Sequence, residues 1–288
     1  MTPTQQQMFG GDWTQQKLEI LRKYLEAYTT ALKNTAFRLA YIDAFAGRGY
    51  LEPKREATDQ SSLIPQDAER FLDGSASIAL DIEHKFDEYV FVEKSAKKCE
   101  ELQALQRTYS EHDTQIHIIR QDCNEYIPRL CEDWDWQRRR AVLFLDPFGM
   151  QVEWPTMKAV AATETIDLWV LFSIMGVNRL LQKRGEIPKS RKRRLDKTFG
   201  TEEWEDEFYG VEPEPLFETT RKTKTADFES IANFYLNRLQ SIFPCVAENP
   251  RWLCKDNNPL FLLCFAMSNP SKRAQKLALR IANYILEN

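Results

Sequence analysis

The 288-residue chain is poor in several features that would indicate particular classes of protein. Its three histidines, His84, His112 and His117, do not form a set spaced for metal binding. Its six cysteines include no C-x-x-C pair, so we expect reduced thiols rather than a zinc site or a disulfide framework. No apolar run approaches the ~20 residues that a helix needs to span a bilayer, so we expect no membrane partner.

The net charge and the composition of residues 1–11 further restrict the class of protein and its location in the cell. The net charge is −4, which gives no overall attraction to nucleic acid or to an anionic membrane surface. Residues 1–11 are polar and rich in glutamine, and they lack the charged and apolar regions of a signal peptide. A cytoplasmic protein is therefore expected. The hydrophobic content of 43% is enough for a sizeable core and excludes a disordered chain.

Apolar segments with the period of strands alternate along the chain with segments that have the period of helices. Leu18, Leu21 and Leu25 repeat at helical spacing and predict an N-terminal helix over residues 13–33. Such alternation is typical of a Rossmann-like, doubly wound, mostly parallel α/β sheet, here in a single domain over residues 1–288. The strands are predicted at residues 39–43, 89–92, 116–119, 141–145, 166–172 and 260–267.

Two long segments interrupt this alternation. Residues 50–73 are polar and contain Pro53 and Pro65, and we interpret them as a flap loop over a ligand. Residues 176–226, after the fifth strand, are strongly charged and are predicted to form an insertion that caps the sheet.

Acidic residues follow four of the predicted strands: Asp43, Glu93, Asp122 and Asp146. The carboxyl ends of parallel strands lie at one edge of a sheet, where open α/β folds bind their ligands. A carboxylate after the second strand can accept both hydroxyls of a ribose, and Asp122 could accept the amino group of an adenine. Polar residues also end strands for purely structural reasons, and that alternative stays open.

Two glycines and a serine near the first of these carboxylates are also expected to belong to the ligand site. Gly47 and Gly49 allow a ligand to approach the main chain closely. Ser75 is predicted to cap the helix that begins after the flap.

Four segments resemble the motifs of class I S-adenosylmethionine-dependent methyltransferases: Asp43-Ala44-Phe45-Ala46-Gly47-Arg48-Gly49, Glu93, Asp122, and Asp146-Pro147-Phe148-Gly149. The last segment lacks the second proline of the amino-group methyltransferases, which leaves the methyl acceptor open. The resemblance implies that S-adenosylmethionine is the cofactor and that no metal is needed. It implies a catalytic, acceptor-side site of Asp146, Pro147, Phe148 and Gly149. The implied cofactor site consists of Asp43, Ala44, Phe45, Gly47, Gly49, Ser75, Glu93, Lys94, Asp122 and Cys123.

A narrower resemblance covers nearly the whole chain. The segments 17–21, 41–47, 73–76, 91–94, 145–149, 200–204 and 265–270 occur in an order similar to that of the bacterial three-Cys-motif partner proteins. This resemblance implies a partner, namely a separate protein with a three-cysteine, radical-S-adenosylmethionine-like motif.

A basic run lies within the predicted insertion. Its residues could contact a nucleic-acid backbone, or they could belong to a solvated helix that pairs with the acidic stretch at residues 202–218. Both interpretations stay open. The basic residues are Lys183, Arg184, Lys189, Arg191, Lys192, Arg193 and Arg194.

Three functions are therefore compatible with the sequence. The first is a methyltransferase that acts on an amino nitrogen of nucleic acid or on another acceptor. The second is a catalytically silent docking partner of the three-Cys-motif protein. The third is a metal-dependent hydrolase or nuclease, which would need two or three of the carboxylates to converge on one ion.

Overall fold

A computed structural model describes residues 13–47, 74–109, 115–213 and 220–287. The predicted flap at residues 50–73 and Gly49 lie outside these ranges. The helices are α1 (Trp13–Leu32), α2 (Ser75–Asp81), α3 (Ala96–Thr108), α4 (Cys123–Asp133), α5 (Trp154–Ala162), α6 (Ile174–Leu180), α7 (Lys189–Phe199), α8 (Trp204–Phe208), α9 (Phe228–Gln240) and α10 (Lys272–Glu287). The strands are β1 (Arg38–Asp43), β2 (Glu88–Val92), β3 (Gln115–Ile119), β4 (Arg139–Leu145), β5 (Ile166–Phe172), β6 (Tyr209–Pro213), β7 (Thr220–Lys224), β8 (Cys245–Val246), β9 (Arg251–Lys255) and β10 (Asn258–Met267).

An eight-stranded sheet has the order β3-β2-β1-β4-β5-β10-β8, and β9 pairs with β10. Strands β1 to β5 are parallel, whereas β10 runs antiparallel to β5, β8 and β9. The mostly parallel, Rossmann-like α/β fold predicted from the sequence is confirmed. The chain places β2 and β3 on one side of β1 and β4 and β5 on the other, so the topological switch point lies between β1 and β4. Open α/β sheets bind ligands in the crevice at this point.

Helices cover both faces of the sheet, because alternate residues of each strand point to opposite sides. Tyr41 and Trp169 belong to the core that α1, α2, α3 and α10 cover. Ile42 and Leu168 belong to the core beneath α4 to α9. Strands buried on both faces explain the continuous apolar runs of β4 and β5.

The charged segment after β5 is folded against the sheet. It contains α7, α8 and a hairpin of β6 and β7, which the sequence analysis did not predict. Trp204 and Phe208 of α8 are fully buried and join the core with Phe199. These aromatic side chains attach the segment to the rest of the domain.

The prediction that Ser75 caps α2 is wrong. Gly74 occupies the N-cap position, and no side chain caps the helix. Ser75 is instead the first helical residue, and its side chain is buried.

None of the helices in the described ranges is long and apolar enough to cross a membrane.

Candidate functional site

Asp43 ends β1 at the switch point, and its side chain is fully buried. Its Oδ1 accepts a hydrogen bond from the backbone N–H of Phe45 at 3.1 Å, and the Tyr41 hydroxyl donates to Oδ2 at 3.4 Å. Burial raises the pKa of Asp43 to about 7. The hydrogen bond from the Phe45 N–H favours the charged form and partly opposes that rise. The carboxyl group therefore shapes the turn after β1.

Asp146 follows β4, directly across the switch point from β1. Its Oδ2 forms an ion pair with Nζ of Lys17 from α1, and both side chains are at most 1% exposed. Burial raises the pKa of Asp146, and the Lys17 ammonium group opposes that rise. Its Oδ1 is buried and has no hydrogen-bond partner in the part of the chain that the structure describes. The carboxyl group expected to hold an acceptor nitrogen thus faces the interior.

Lys17 is a residue of the site that the sequence analysis missed. It lies on the buried face of α1 with Ile20, Leu21 and Tyr24, which follow it at helical spacing. A lysine is almost never fully buried unless it is paired, so a lysine on the apolar face of a predicted helix was a usable signal of a buried ion pair. The acidic partner could not be identified without the fold, since it lies 129 residues away.

Two further features lie beside Asp43. The Ser75 hydroxyl acts on the pKa of Asp43 and lowers it, while the charge of Asp146 raises it, so the three groups are neighbours. The Ser75 Oγ is buried beside the Asp43 carboxyl group, whereas Asp146 Oδ1 has no hydrogen-bond partner among the residues described. Gly47 has a φ of 61°, a backbone conformation that favours glycine. The switch point therefore combines a close backbone approach with an unpaired carboxylate oxygen.

Glu93 follows β2 at the same edge. Its Oε1 accepts a hydrogen bond from the Ser95 backbone N–H at 2.7 Å, and Lys98 Nζ lies 3.9 Å from Oε2. Its side chain is 12% exposed. The carboxylate is thus held in place and has remaining lone pairs that could accept hydroxyl groups.

Asp122 follows β3 and is the N-cap of α4, where its Oδ1 accepts from the Asn124 backbone N–H at 2.9 Å. Burial raises its pKa, but the hydrogen bonds from Asn124 and Lys94 outweigh burial and lower it below its ordinary value. Lys94 Nζ lies 3.4 Å from Asp122 Oδ2. Burial raises the pKa of the neighbouring Cys123 to about 12, so the thiol stays protonated and acts as an apolar surface.

The segment after Asp146 leads from the buried site to the surface. Pro147 is buried, whereas Phe148 and Gly149 are half-buried. The Phe148 backbone N–H donates to Gln151 Oε1 at 2.9 Å, and Lys98 Nζ lies 4.9 Å from the Phe148 ring centroid. Within the described ranges, no atom lies within 4 Å of the position that a Cβ at Gly149 would take.

This segment borders a cavity of about 510 Å³, which we call the arginine groove. The groove lies over the carboxyl ends of β4 and β5, on the sheet edge that carries the four acidic residues. Its lining includes Phe148, Met150, Met175, Arg179, Arg191 and Arg194.

The structure divides the basic run into three groups. Lys192 Nζ pairs with Glu202 at 2.8 Å, with Asp196 at 3.6 Å, and with Glu205. For Lys192 the alternative of a helix paired with the acidic stretch is therefore correct. Arg191 and Arg194 line the groove instead, and Lys183, Arg184, Lys189 and Arg193 are exposed.

The described ranges contain no group of three or more His, Cys, Asp or Glu side chains that could hold a metal ion. At the switch point, the cation beside Asp43 and Asp146 is the ammonium group of Lys17. The metal-dependent alternative therefore has no set of three such donors in this part of the chain.

Comparisons with known proteins found no matching family model and no matching curated protein. Solved structures do match. Protein LPL1258 from Legionella pneumophila is 11% identical with a TM-score of 0.42, and the match covers 93% of this chain and 91% of that one. Trm1 from Pyrococcus horikoshii, solved with S-adenosyl-L-methionine, is 11% identical with a TM-score of 0.39, and the match covers 94% of this chain and 58% of that one.

A third structure, an S-adenosylmethionine-dependent methyltransferase from Clostridium acetobutylicum, is 9% identical with a TM-score of 0.37, and the match covers 91% of this chain and 92% of that one. Values this low assign no function. The observed strand order, with an antiparallel β10 beside β5, defines a Rossmann-like fold of the class I methyltransferase type.

Proposed function

We propose that this protein is an S-adenosylmethionine-dependent methyltransferase. The observation that carries the proposal is the placement of Asp43, Glu93, Asp122 and Asp146 at the carboxyl ends of four parallel strands around the switch point. The cofactor would supply a methyl group on a sulfonium. Transfer of that group needs little acid–base assistance, so the protein contributes mainly by positioning and by excluding water.

The described residues fit this cofactor in charge and in hydrogen-bonding capacity. Glu93 would accept the ribose hydroxyls, and Asp122 and Cys123 would border the adenine. Gly47 would admit the cofactor close to the main chain, beside Ala44 and Phe45. The buried, unpaired Oδ1 of Asp146 leaves hydrogen-bonding capacity at the switch point, next to Asp43.

The acceptor side would consist of Pro147, Phe148 and Gly149. Asp146 would act by positioning this turn, because its carboxyl group is held by Lys17 beneath the surface. An amino nitrogen of nucleic acid would then approach from the arginine groove. The half-buried ring of Phe148 would shield the reacting atoms from water.

Calorimetric titration with S-adenosylmethionine tests the proposal. Micromolar binding is expected for the native protein and a large loss is expected for Glu93→Ala, because the two hydroxyl contacts disappear. Glu100→Ala, an exposed change on α3 that removes the same charge, is the control and should bind as the native protein does. A folded protein that binds no S-adenosylmethionine would contradict the proposal.

One observation favours a second candidate, the catalytically silent docking partner. The Lys17–Asp146 ion pair occupies the carboxylate that a methyl acceptor would otherwise contact. If the domain only docks to a three-Cys-motif protein, Lys17→Met/Asp146→Leu, which removes both buried charges, should leave complex formation intact while substitutions on the surface abolish it. Labelled methyl transfer to nucleic acid, present in the native protein and reduced in Phe148→Ala, would reject the silent alternative.

A further inference from the structure

The arginine groove combines an apolar wall with concentrated positive charge. Leu260 and Phe261 from β10 and Met150 and Met175 contribute apolar surface. Flat aromatic ligands suit such a surface, since methionine side chains adapt to irregular shapes and pack well on rings. The groove volume of about 510 Å³ lies within the ~300–1,000 Å³ range of small-ligand sites.

Three arginines make one side of the groove basic. Arg191 and Arg194 are three residues apart on α7 and therefore lie on the same face of that helix. Arg179 reaches the groove from α6. Planar guanidinium groups bind phosphate through paired hydrogen bonds, which makes arginine the preferred residue for recognising phosphate geometry.

Two of the acidic residues that follow α7 pair with lysines and not with these arginines. Glu202 and Glu205 pair with Lys192, and Glu205 also lies 3.5 Å from Lys222. Arg194 donates to the backbone carbonyl of Met150 at 3.1 Å, a contact that leaves its positive charge in the groove. Arg191 and Arg194 therefore keep their positive charge in the groove although the neighbouring sequence is acidic.

The groove also lies where an acceptor is required. It extends over the carboxyl ends of β4 and β5, beginning at Phe148 and reaching Ser173, and the proposed cofactor residues lie on the same edge at β1, β2 and β3. A molecule in the groove would therefore lie beside a cofactor at the switch point.

We propose that the arginine groove binds a nucleotide unit of the methyl acceptor. Arg191 and Arg194 contact its phosphate, and the base lies against Phe148 and the methionines. This inference rests on the proposed function, since it names the substrate of that site. The nucleotide can belong to a single-stranded nucleic acid or be free, and two further exposed basic residues on α7, Lys189 and Arg193, favour the polymer.

Fluorescence anisotropy provides the first test. The probes are a labelled single-stranded RNA of ~12 nucleotides and, as competitors, the four nucleoside 5′-monophosphates. Arg191→Gln/Arg194→Gln should weaken RNA binding by about tenfold or more, because hydrogen bonds to charged phosphate are lost. The slope of log affinity against log salt should become shallower by about 1.4, since each phosphate contact on a single strand contributes roughly 0.7.

The matched control is Arg273→Gln/Lys276→Gln, which removes two exposed charges from α10. Its RNA affinity should stay within about twofold of the native value, because these residues lie outside the groove. Equal weakening by both pairs would overturn the proposal, and so would a folded native protein that binds neither probe. Arg191→Gln alone, which keeps the contact between Arg194 and Met150, is the second variant if the pair unfolds.

A third pair identifies the source of the nucleotide. Lys189→Gln/Arg193→Gln should weaken RNA binding and leave monophosphate competition unchanged if the acceptor is a polymer. If this pair affects neither probe while the groove pair weakens both, the groove binds a free nucleotide.

Titration of the same samples with S-adenosylmethionine separates the two proposals. Cofactor binding without nucleotide binding would reject only the nucleotide groove. Nucleotide binding without cofactor binding would reject the proposed function.

Discussion

Replacement of Lys17 by methionine should destabilise the protein strongly and in a pH-dependent manner. Methionine keeps most of the volume of lysine but removes the charge that pairs with the buried Asp146. Loss of one partner of a buried ion pair costs about 3–5 kcal/mol, because the remaining charge is left uncompensated. We expect a loss of this size at pH 8 in the free energy of unfolding.

The pH dependence follows from linkage. An unpaired, buried Asp146 avoids its charge by taking up a proton, whereas in the unfolded chain it ionises near pH 4. That proton uptake costs about 1.4 kcal/mol per pH unit above 4, which gives a ceiling of roughly 6 kcal/mol at pH 8 and roughly 1.5 kcal/mol at pH 5. The Lys17→Met variant should therefore lose much less stability at pH 5 than at pH 8.

Urea unfolding followed by circular dichroism at the two pH values measures this difference. Lys23→Met is the control on the same helix, since Lys23 is exposed and its ion pair with Glu19 should contribute under about 1 kcal/mol. Lys17→Met/Asp146→Leu should recover most of the lost stability, because it removes both charges. A loss below about 1 kcal/mol at both pH values would refute the reasoning.

Three further changes test other parts of the structure. Because the pKa of Asp43 is raised to about 7, the folded state binds more protons than the unfolded chain between pH 4 and 7, so this group lowers the free energy of unfolding as pH rises. Asp43→Asn should remove that contribution, about 1.4 kcal/mol per pH unit at most, and flatten the profile measured by urea unfolding. Tyr24→Phe removes the hydroxyl that donates to buried Asp167 at 2.5 Å. The free energy of unfolding should fall by about 1–3 kcal/mol at pH 8 and by less at pH 5, where Asp167 takes up a proton because burial raises its pKa to about 7. Equal losses at the two pH values would contradict this expectation. Gly200→Ala should lower the free energy of unfolding by roughly 2–4 kcal/mol, because φ is 67° and a Cβ would lie 2.1 Å from the Trp154 ring. Thermal or urea unfolding measures the loss, and a change near zero would exclude that contact.

Much of the sheet could be predicted from the sequence, because each central strand is a continuous apolar run. Residues 166–172 were predicted as a strand and form β5 without change. β4 begins two residues before its predicted start, at Arg139, because pairing with β1 extends the strand into polar residues. The hairpin of β6 and β7 was missed, because its strands are short and β7 (Thr220–Lys224) has no alternating apolar pattern.

The site was predictable only where it depends on strand ends. Asp43, Glu93 and Asp122 were placed on one edge because parallel strands put their carboxyl ends there. The burial of Asp146 depends on Lys17, which comes from a helix distant in sequence. The arginine groove depends on how α6, α7 and the start of β10 pack together, and no local pattern in the chain contains that information.

The contacts of α1 also set an order of events during synthesis. Its Lys17 and Tyr24 bind acidic residues that lie 129 and 143 positions later in the chain. Such non-local contacts form slowly, because a long loop must close before they contribute. α1 is therefore made long before it can finish docking, and its apolar face has to stay exposed until β4 and β5 have been made. During that interval the nascent chain should depend on chaperones that bind apolar helix surfaces.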